Sequence, residues 1–364
     1  MLNRESVSEE WNKVLNYCRK YAYNSLSYLS LEPDKKWFFS QKVEGVASYQ
    51  LSGRLMLVCG DPICAEECLP TFLQELTQWC SIHHYKLMLL FVLDKNISIY
   101  QQLGMNVDKI AEEAIFDMKT WTIAGGRCAK ARSSWHTAVN YGLIVREYRP
   151  WIQRDESIES QMHEISAEWL KDKKTAKLQF AVGSLMLNYN CDKRYFYAID
   201  KEGIIQGFNV INPYLGGKGW IIDVMRRRKG CPHGVMELLF HDIYETVKSE
   251  GAIEFSLGTA PFYNTLSEKS PSTFERAGKL VFEKLNHVYG FKPLQIAKAK
   301  YNPAWKPIYI VSSTKKISLS MVNSACDIID SGGLKDYFLT LFNLKRKENE
   351  NNECKIRKIA LNSE

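Results

Sequence analysis

The stretch GWIIDVMRRRKGCPHGVMELLFHDIYETVKSEGAIEFSLG, Gly219 to Gly258, contains three changes of pattern. WII is a strand-forming run that ends on an acid, Asp223, and within three positions becomes Arg226, Arg227, Arg228 and Lys229. From Val235 the apolar residues recur at helical spacing until Gly251, and AIEFSLG then reads as a second strand. A strand, a basic turn, a helix and another strand in this order form one α/β unit.

The same grammar recurs on both sides. Toward the N-terminus, a helix with a capping-box pattern from Ser6 to Glu9 precedes strands at WFFS, GVASYQL and RLMLVCGDP, a helix through TFLQELTQWC, a buried strand YKLMLLFVL and a short helix at IYQQLGM. Toward the C-terminus, a helix around Ile158 to Lys171 leads to strands at LQFAVGSLML, RYFYAID and IIQGFNVI before the opening stretch, and a helix ending in HVYGF follows it. The repetition predicts a mixed α/β protein made of two copies of one unit. Their boundaries fall at 1–142 and 143–312, with a basic extension over 313–364 that is expected to be partly disordered.

A chain of 364 residues with 45% hydrophobic and 12% aromatic residues has the material for two packed cores. Its formal charge of +7 permits an anionic partner such as RNA or a phospholipid surface without requiring one. The longest apolar run, Leu87 to Leu93, is far short of the roughly 20 residues of a membrane span, and no signal peptide is recognisable. The ten cysteines are scattered and only Cys64 and Cys68 lie close, without further ligands at zinc spacing, so reduced thiols in a cytoplasmic protein are expected.

Longer words carry a more specific signal. SLSYLSLEPDKKWFF, LVCGDP, ISAEWL, FAVGSL, IIDVMR, FSLGTAP and KAKYNPAWKPIYI occur in this order between Ser25 and Ile310. Together they resemble the C-terminal catalytic region of the bacterial phosphatidylglycerol lysyltransferases, the MprF-type aminoacyltransferases. The resemblance implies two tandem GNAT acyltransferase-like domains, each a mixed central sheet flanked by helices. It also implies transfer of an amino acid from aminoacyl-tRNA to a hydroxyl of a lipid such as phosphatidylglycerol, or to a hydroxyl or amine of a small metabolite. Family members usually carry a multispan membrane domain ahead of this region. None is recognisable here, so a cytoplasmic location, with peripheral contact at the inner face of the membrane, is expected.

Such a transfer is the attack of a hydroxyl on an activated ester. It calls for positioning, proton movement and oxyanion stabilisation, and for no cofactor or metal. Asp223 and Arg226 match the D-x-M-R word of the family and are the first catalytic candidates. Asp223 is suited either to the amino acid's ammonium or to the acceptor proton, and Arg226 either to a phosphate or to the oxyanion. Strict alternation puts the two on opposite faces of a strand, so a shared site requires the strand to bulge or end near Met225. Lys298 and Lys300 match the F-K-x-K-F word, with Ala297 in place of its first aromatic. A strand through AKAKY directs both lysines to one face, where they suit a tRNA or lipid phosphate.

Arg132, Arg227, Arg228, Lys229, Gly258, Trp305 and Tyr309 complete the candidate set as substrate-binding residues. Ile308 stands where the family usually has Arg, and Lys177 where an acid is usual, which leaves donor amino acid and acceptor open. Gly60, Asp61 and Pro62 read as a structural turn.

Two other functions fit parts of the pattern. An acyl-CoA-dependent N-acyltransferase would use RRRKGCPHG as its pyrophosphate loop, although Gly230 and Gly234 are four apart and Pro232 removes an amide from the cradle. A non-catalytic RNA- or membrane-binding protein would need only the charge.

Overall fold

A computed structural model describes residues 8–172, 180–261, 263–264 and 291–329. The first helix, α1 (Glu9–Tyr21), has acids in its first turn and Arg19 and Lys20 in its last, and it buries Trp11, Val14, Leu15 and Cys18. Its cap is Ser8, whose Oγ accepts from the Trp11 amide at 3.1 Å. Ser6, the expected start of a capping box, lies outside the described residues.

The strands β1 (Lys36–Phe39), β2 (Gly45–Ser52), β3 (Leu55–Cys59) and β4 (Ile63–Cys64) follow, then α2 (Leu69–Ile82), β5 (Lys86–Leu93), α3 (Ile97–Gln102) and β6 (Asn106–Asp117). After α4 (Ala129–Tyr141) come β7 (Ile144–Tyr148), α5 (Glu156–Asp172), β8 (Arg194–Ile199), β9 (Ile205–Tyr214) and β10 (Gly219–Arg227). The chain continues through α6 (Val235–Ser249), β11 (Glu254–Pro261), α7 (Phe291–Ala299), β12 (Ala304–Ser312) and α8 (Leu319–Ile329).

All twelve strands of the described residues join one sheet, in the order β1-β2-β3-β5-β12-β6-β11-β10-β9-β8-β7, with β4 paired to β2. The mixed α/β class expected from the sequence is therefore what the chain adopts. Each half contains one parallel strand pair spanned by a helix: β3 with β5 around α2, and β10 with β11 around α6. The remaining pairings are antiparallel. The late strand β12 lies between β5 and β6 of the first half, while β6 pairs on its other side with β11.

The two faces of the sheet are covered differently. In the second half, α4 and α6 cover one face with a core that includes Phe116, Phe240, Tyr244 and Phe255. On the opposite face α5 packs Met162 and Ile165 against Tyr195, Phe208, Val210 and Val224. These placements decide which side chains can meet.

Two expectations change. Residues 180–187 form no strand, because amides of this segment bond to carboxylates rather than to a neighbouring strand. The strand expected through AKAKY is instead the end of α7 and a turn, with Lys298 as its last basic residue. Within the extension after 312, α8 packs Met321 and Ala325 on the core beneath β3 and β5. Residues 330–364, the helix ending in HVYGF and Lys177 lie outside the described residues.

Candidate active site

Asp223 sits where β10 bulges. The register with β9 slips between Ile222 and Val224, so Asp223 has no opposing partner. The extra residue resets the alternation: Ile222 faces the α6 core, while Val224 joins the α5 core and Arg226 lies over the Trp169 ring of α5 at 5.0 Å. This is the bulge that a shared site demanded. Asp223 and Arg226 now occupy the same face.

The Asp223 side chain is 7% exposed and lies in a network of distant residues. Its Oδ1 accepts from the Gly183 amide at 3.0 Å, and its Oδ2 accepts from Asn212 Nδ2 at 2.9 Å and Lys193 Nζ at 3.2 Å. A methyl at Gly183 would lie 1.8 Å from Oδ2, so only glycine lets the backbone approach this closely. That explains the glycine of the FAVGSL word. Lys193 also donates to Glu32 Oε1 at 2.9 Å, and Glu32 accepts from the Ser184 amide at 3.0 Å and hydroxyl at 2.6 Å. Burial opposes the charge of Lys193, but Asp223 and Glu32 outweigh it and hold its pKa well above that of an ordinary lysine. For Glu32 burial is likewise overcome, by the Lys193 charge and the Ser184 bonds, and its pKa lies below the usual value.

Lys298, from α7, reaches the Gly258 turn of β11, beside Ile221 of β10. Its Nζ donates to the Thr259 carbonyl at 2.6 Å, and a methyl at Gly258 would come 3.7 Å from Nζ and 3.6 Å from Ile221 Cδ1. Gly258 has φ +75° and lies within a slip in the β11–β6 register, so it both turns the strand and leaves space. Burial pushes the Lys298 pKa down to about 7, opposed by the charge of Glu113. Glu113, buried on β6, accepts from Ser25 and Ser256 hydroxyls at 2.6 and 2.5 Å, and burial raises its pKa against those bonds. A lysine with this pKa is partly neutral at pH 7 and can take and return a proton. For Arg226, burial lowers the pKa while Asp223 opposes.

The other candidates separate. Lys300 bonds to Glu237 of α6 and lies over the Tyr301 ring, on the side of the sheet away from Asp223, because a helix end does not hold residues two apart on one face. Arg228 is tied to the Ile205 carbonyl at 2.9 Å and to Glu164 at 3.1 Å, and Arg132 to the Ile123 carbonyl at 2.7 Å, so both hold local structure. Arg227 and Lys229 are exposed at the end of β10. Trp305 packs on the α6 core and against Tyr263 at 4.9 Å, and Tyr309 donates to Asp94 at 2.9 Å in the first half. Ile308 is 1% exposed, in a core with Phe180 and Leu90.

Glu32, Lys193, Asn212 and Gly183 were not among the sequence candidates. Glu32 and Lys193 are 161 positions apart, and no local spacing announces their pairing.

Two substructures of one type share a sheet, with an acid and an arginine on the bulged strand of the second parallel pair and a lysine of lowered pKa at the turn of its partner strand: this is the tandem GNAT-like class. Residues 16–312 match the family described as phosphatidylglycerol lysyltransferase, C-terminal, and the chain belongs to that family. The phosphatidylglycerol lysyltransferases of Bacillus subtilis and Staphylococcus xylosus are 28% and 26% identical over 82% and 80% of this chain. The chain spans 34% of the length of each of these relatives. Among solved structures, L-PGS from Bacillus licheniformis superposes with a TM-score of 0.75 at 26% identity, over 89% of this chain and 98% of that one. A C-terminal DUF2156 domain from Agrobacterium fabrum has a TM-score of 0.77 at 22% identity over 89% and 98% of the two chains, a likeness of fold.

Proposed function

We propose that this chain transfers an aminoacyl group from aminoacyl-tRNA to a hydroxyl of phosphatidylglycerol or a similar lipid. The observation that carries the reading is the convergence of Asp223 and Arg226 on one face at the β10 bulge, with Lys298 at the Gly258 turn of the neighbouring strand, in a chain of this family. In the proposed reaction the acceptor hydroxyl attacks the ester carbonyl of the donor and gives its proton to neutral Lys298. Asp223 holds the donor's ammonium, and Arg226 faces the developing oxyanion. Collapse breaks the ester bond to the terminal adenosine, whose oxygen leaves with the proton from Lys298. These residues supply the proton transfer and charge stabilisation without a cofactor.

The coenzyme A reading has less support. The end of the basic turn is packed against α4, where a methyl at Gly234 would lie 1.8 Å from the Ser134 carbonyl oxygen, and Arg228 is engaged with α5. Purified protein should move labelled amino acid from a panel of charged tRNAs into extracted lipid. Transfer that persists in full after RNase treatment of the donor would exclude tRNA as its carrier, and acetyl-CoA binding without tRNA binding would favour the alternative.

A further inference from the structure

Lys193 is fully buried, and its three N–H donors are all engaged: Glu32 Oε1 at 2.9 Å, Asp223 Oδ2 at 3.2 Å and the Ser184 carbonyl at 3.4 Å. One cation is thus shared by two carboxylates, and the nearer is Glu32. The line Glu32, Lys193, Asp223 therefore carries one excess negative charge, with Asp223 at its open end. Arg226, the next cation, is held over Trp169 and makes no hydrogen bond to Asp223.

An ionised carboxylate offers about four lone-pair positions, and Asp223 uses three of them on described residues. Asn212 stands beside it, 1% exposed. Because Asn212 Nδ2 must face the carboxylate, its Oδ1 points elsewhere, and this buried oxygen has no hydrogen-bond donor among the described residues. An acceptor buried in this way is costly unless something brings it an N–H. Two acceptors left unfilled by the described residues, at the open end of a line with one excess negative charge, fit a primary ammonium.

We propose that Glu32 is a positioning residue that draws Lys193 off Asp223, so that Asp223 and Asn212 Oδ1 together receive the protonated α-amino group of the donor. The inference rests on the aminoacyl-transfer reading and deepens it. Without the Glu32 charge, Lys193 pairs with Asp223 alone and the line of three becomes neutral. The first half of the chain thereby sets the charge of a site built mainly on the second. Discrimination follows: an amino acid whose amine is acylated offers neither the charge nor enough N–H groups.

The test measures binding of L-alaninamide and L-lysinamide, and of their Nα-acetyl forms, to the full chain by ligand-observed NMR, with the melting temperature of each variant recorded. The native protein should bind at least one free-amine amide about tenfold more tightly than its acetyl form. Glu32→Gln should abolish that preference. Glu32→Gln combined with Lys193→Met, which restores the single excess negative charge, should bring it back. A purely structural Glu32 would weaken both forms alike and make the double variant no better than the single one. Either that pattern or a native protein indifferent to the amine would overturn the proposal. Should Glu32→Gln fail to fold, Glu32→Asp decides: it keeps the charge and must keep the preference, and its loss counts against the proposal. Absence of transfer from any charged tRNA, with amine preference intact, would instead remove the tRNA donor and leave this charge arrangement standing.

Discussion

Asp61 and Asp223 are both buried acids beside the parallel strand pair of their half, and they are surrounded in opposite ways. Asp61, just past β3, accepts from Asn24 at 2.9 Å, Asn96 at 2.8 Å, Tyr100 at 3.1 Å and the Leu93 amide at 3.1 Å. Burial raises its pKa against those bonds, and every lone pair it can offer is taken. Asp223 shares a lysine with another acid, keeps a lone pair open among the described residues and has an orphaned amide oxygen beside it. A saturated acid joins chain segments, whereas an unsaturated one of similar burial is available to a ligand. The fold repeats, but hydrogen-bond saturation separates the half that holds from the half that reacts.

The largest expected effects come from exchanging the two acids' fates. Asp223→Asn should lower the transfer rate about a thousandfold or more in protein that is still folded, as loss of a charge contact at the reacting group does. Asp61→Ala strands four donors and should cost about 3–5 kcal/mol of stability by denaturant titration. If Asp61→Ala proved stable, or Asp223→Asn active, the contrast would collapse.

Gly183→Ala comes next. Its methyl would displace the Asp223 carboxylate, and a displacement of about 1 Å is expected to reduce kcat/KM about a hundredfold. Steady-state kinetics beside a melting curve would show whether the loss lies in the site or in the fold.

A pH profile tests Lys298. With a folded pKa of about 7, it loses its proton as pH rises through 7, so transfer should climb to a plateau above that point, and Lys298→Met should remove the rising limb. The sign for stability is also fixed. An unfolded lysine titrates near ~10.4, so between about pH 7 and 10 the unfolded chain binds the extra proton and native stability rises with pH relative to Lys298→Met. The smallest effect is expected for Lys300→Met. Lys300 is spent on Glu237, so a change in transfer rate of less than about threefold should follow.

The α/β grammar around Gly219 to Gly258 was readable because strands and helix there follow clean periods and are bounded by glycines. The central strand β6 escaped notice because Lys109, Glu112 and Glu113 interrupt its apolar alternation, although both acids are buried and bonded by side chains. Alternation misplaced Lys298 and Lys300 because a two-residue spacing says nothing about whether the backbone is extended. Asp223 and Arg226 could be named from a short word, but the bulge that unites them is set by β9, and their supporting residues come from Glu32 to Lys193. Such pairings follow from topology and leave no local trace.

The position of β12 has a consequence for how the molecule comes to exist. A ribosome that has made the first half has produced β5 and β6 but not the strand that belongs between them, which arrives only with residues 304–312. Until then two sheet edges stand open, each a template for mispairing. A cut near residue 142 is therefore expected to leave the first half without the strand that belongs between β5 and β6. Despite its repeated pattern, the protein is a single closure event whose last central strand completes its first half.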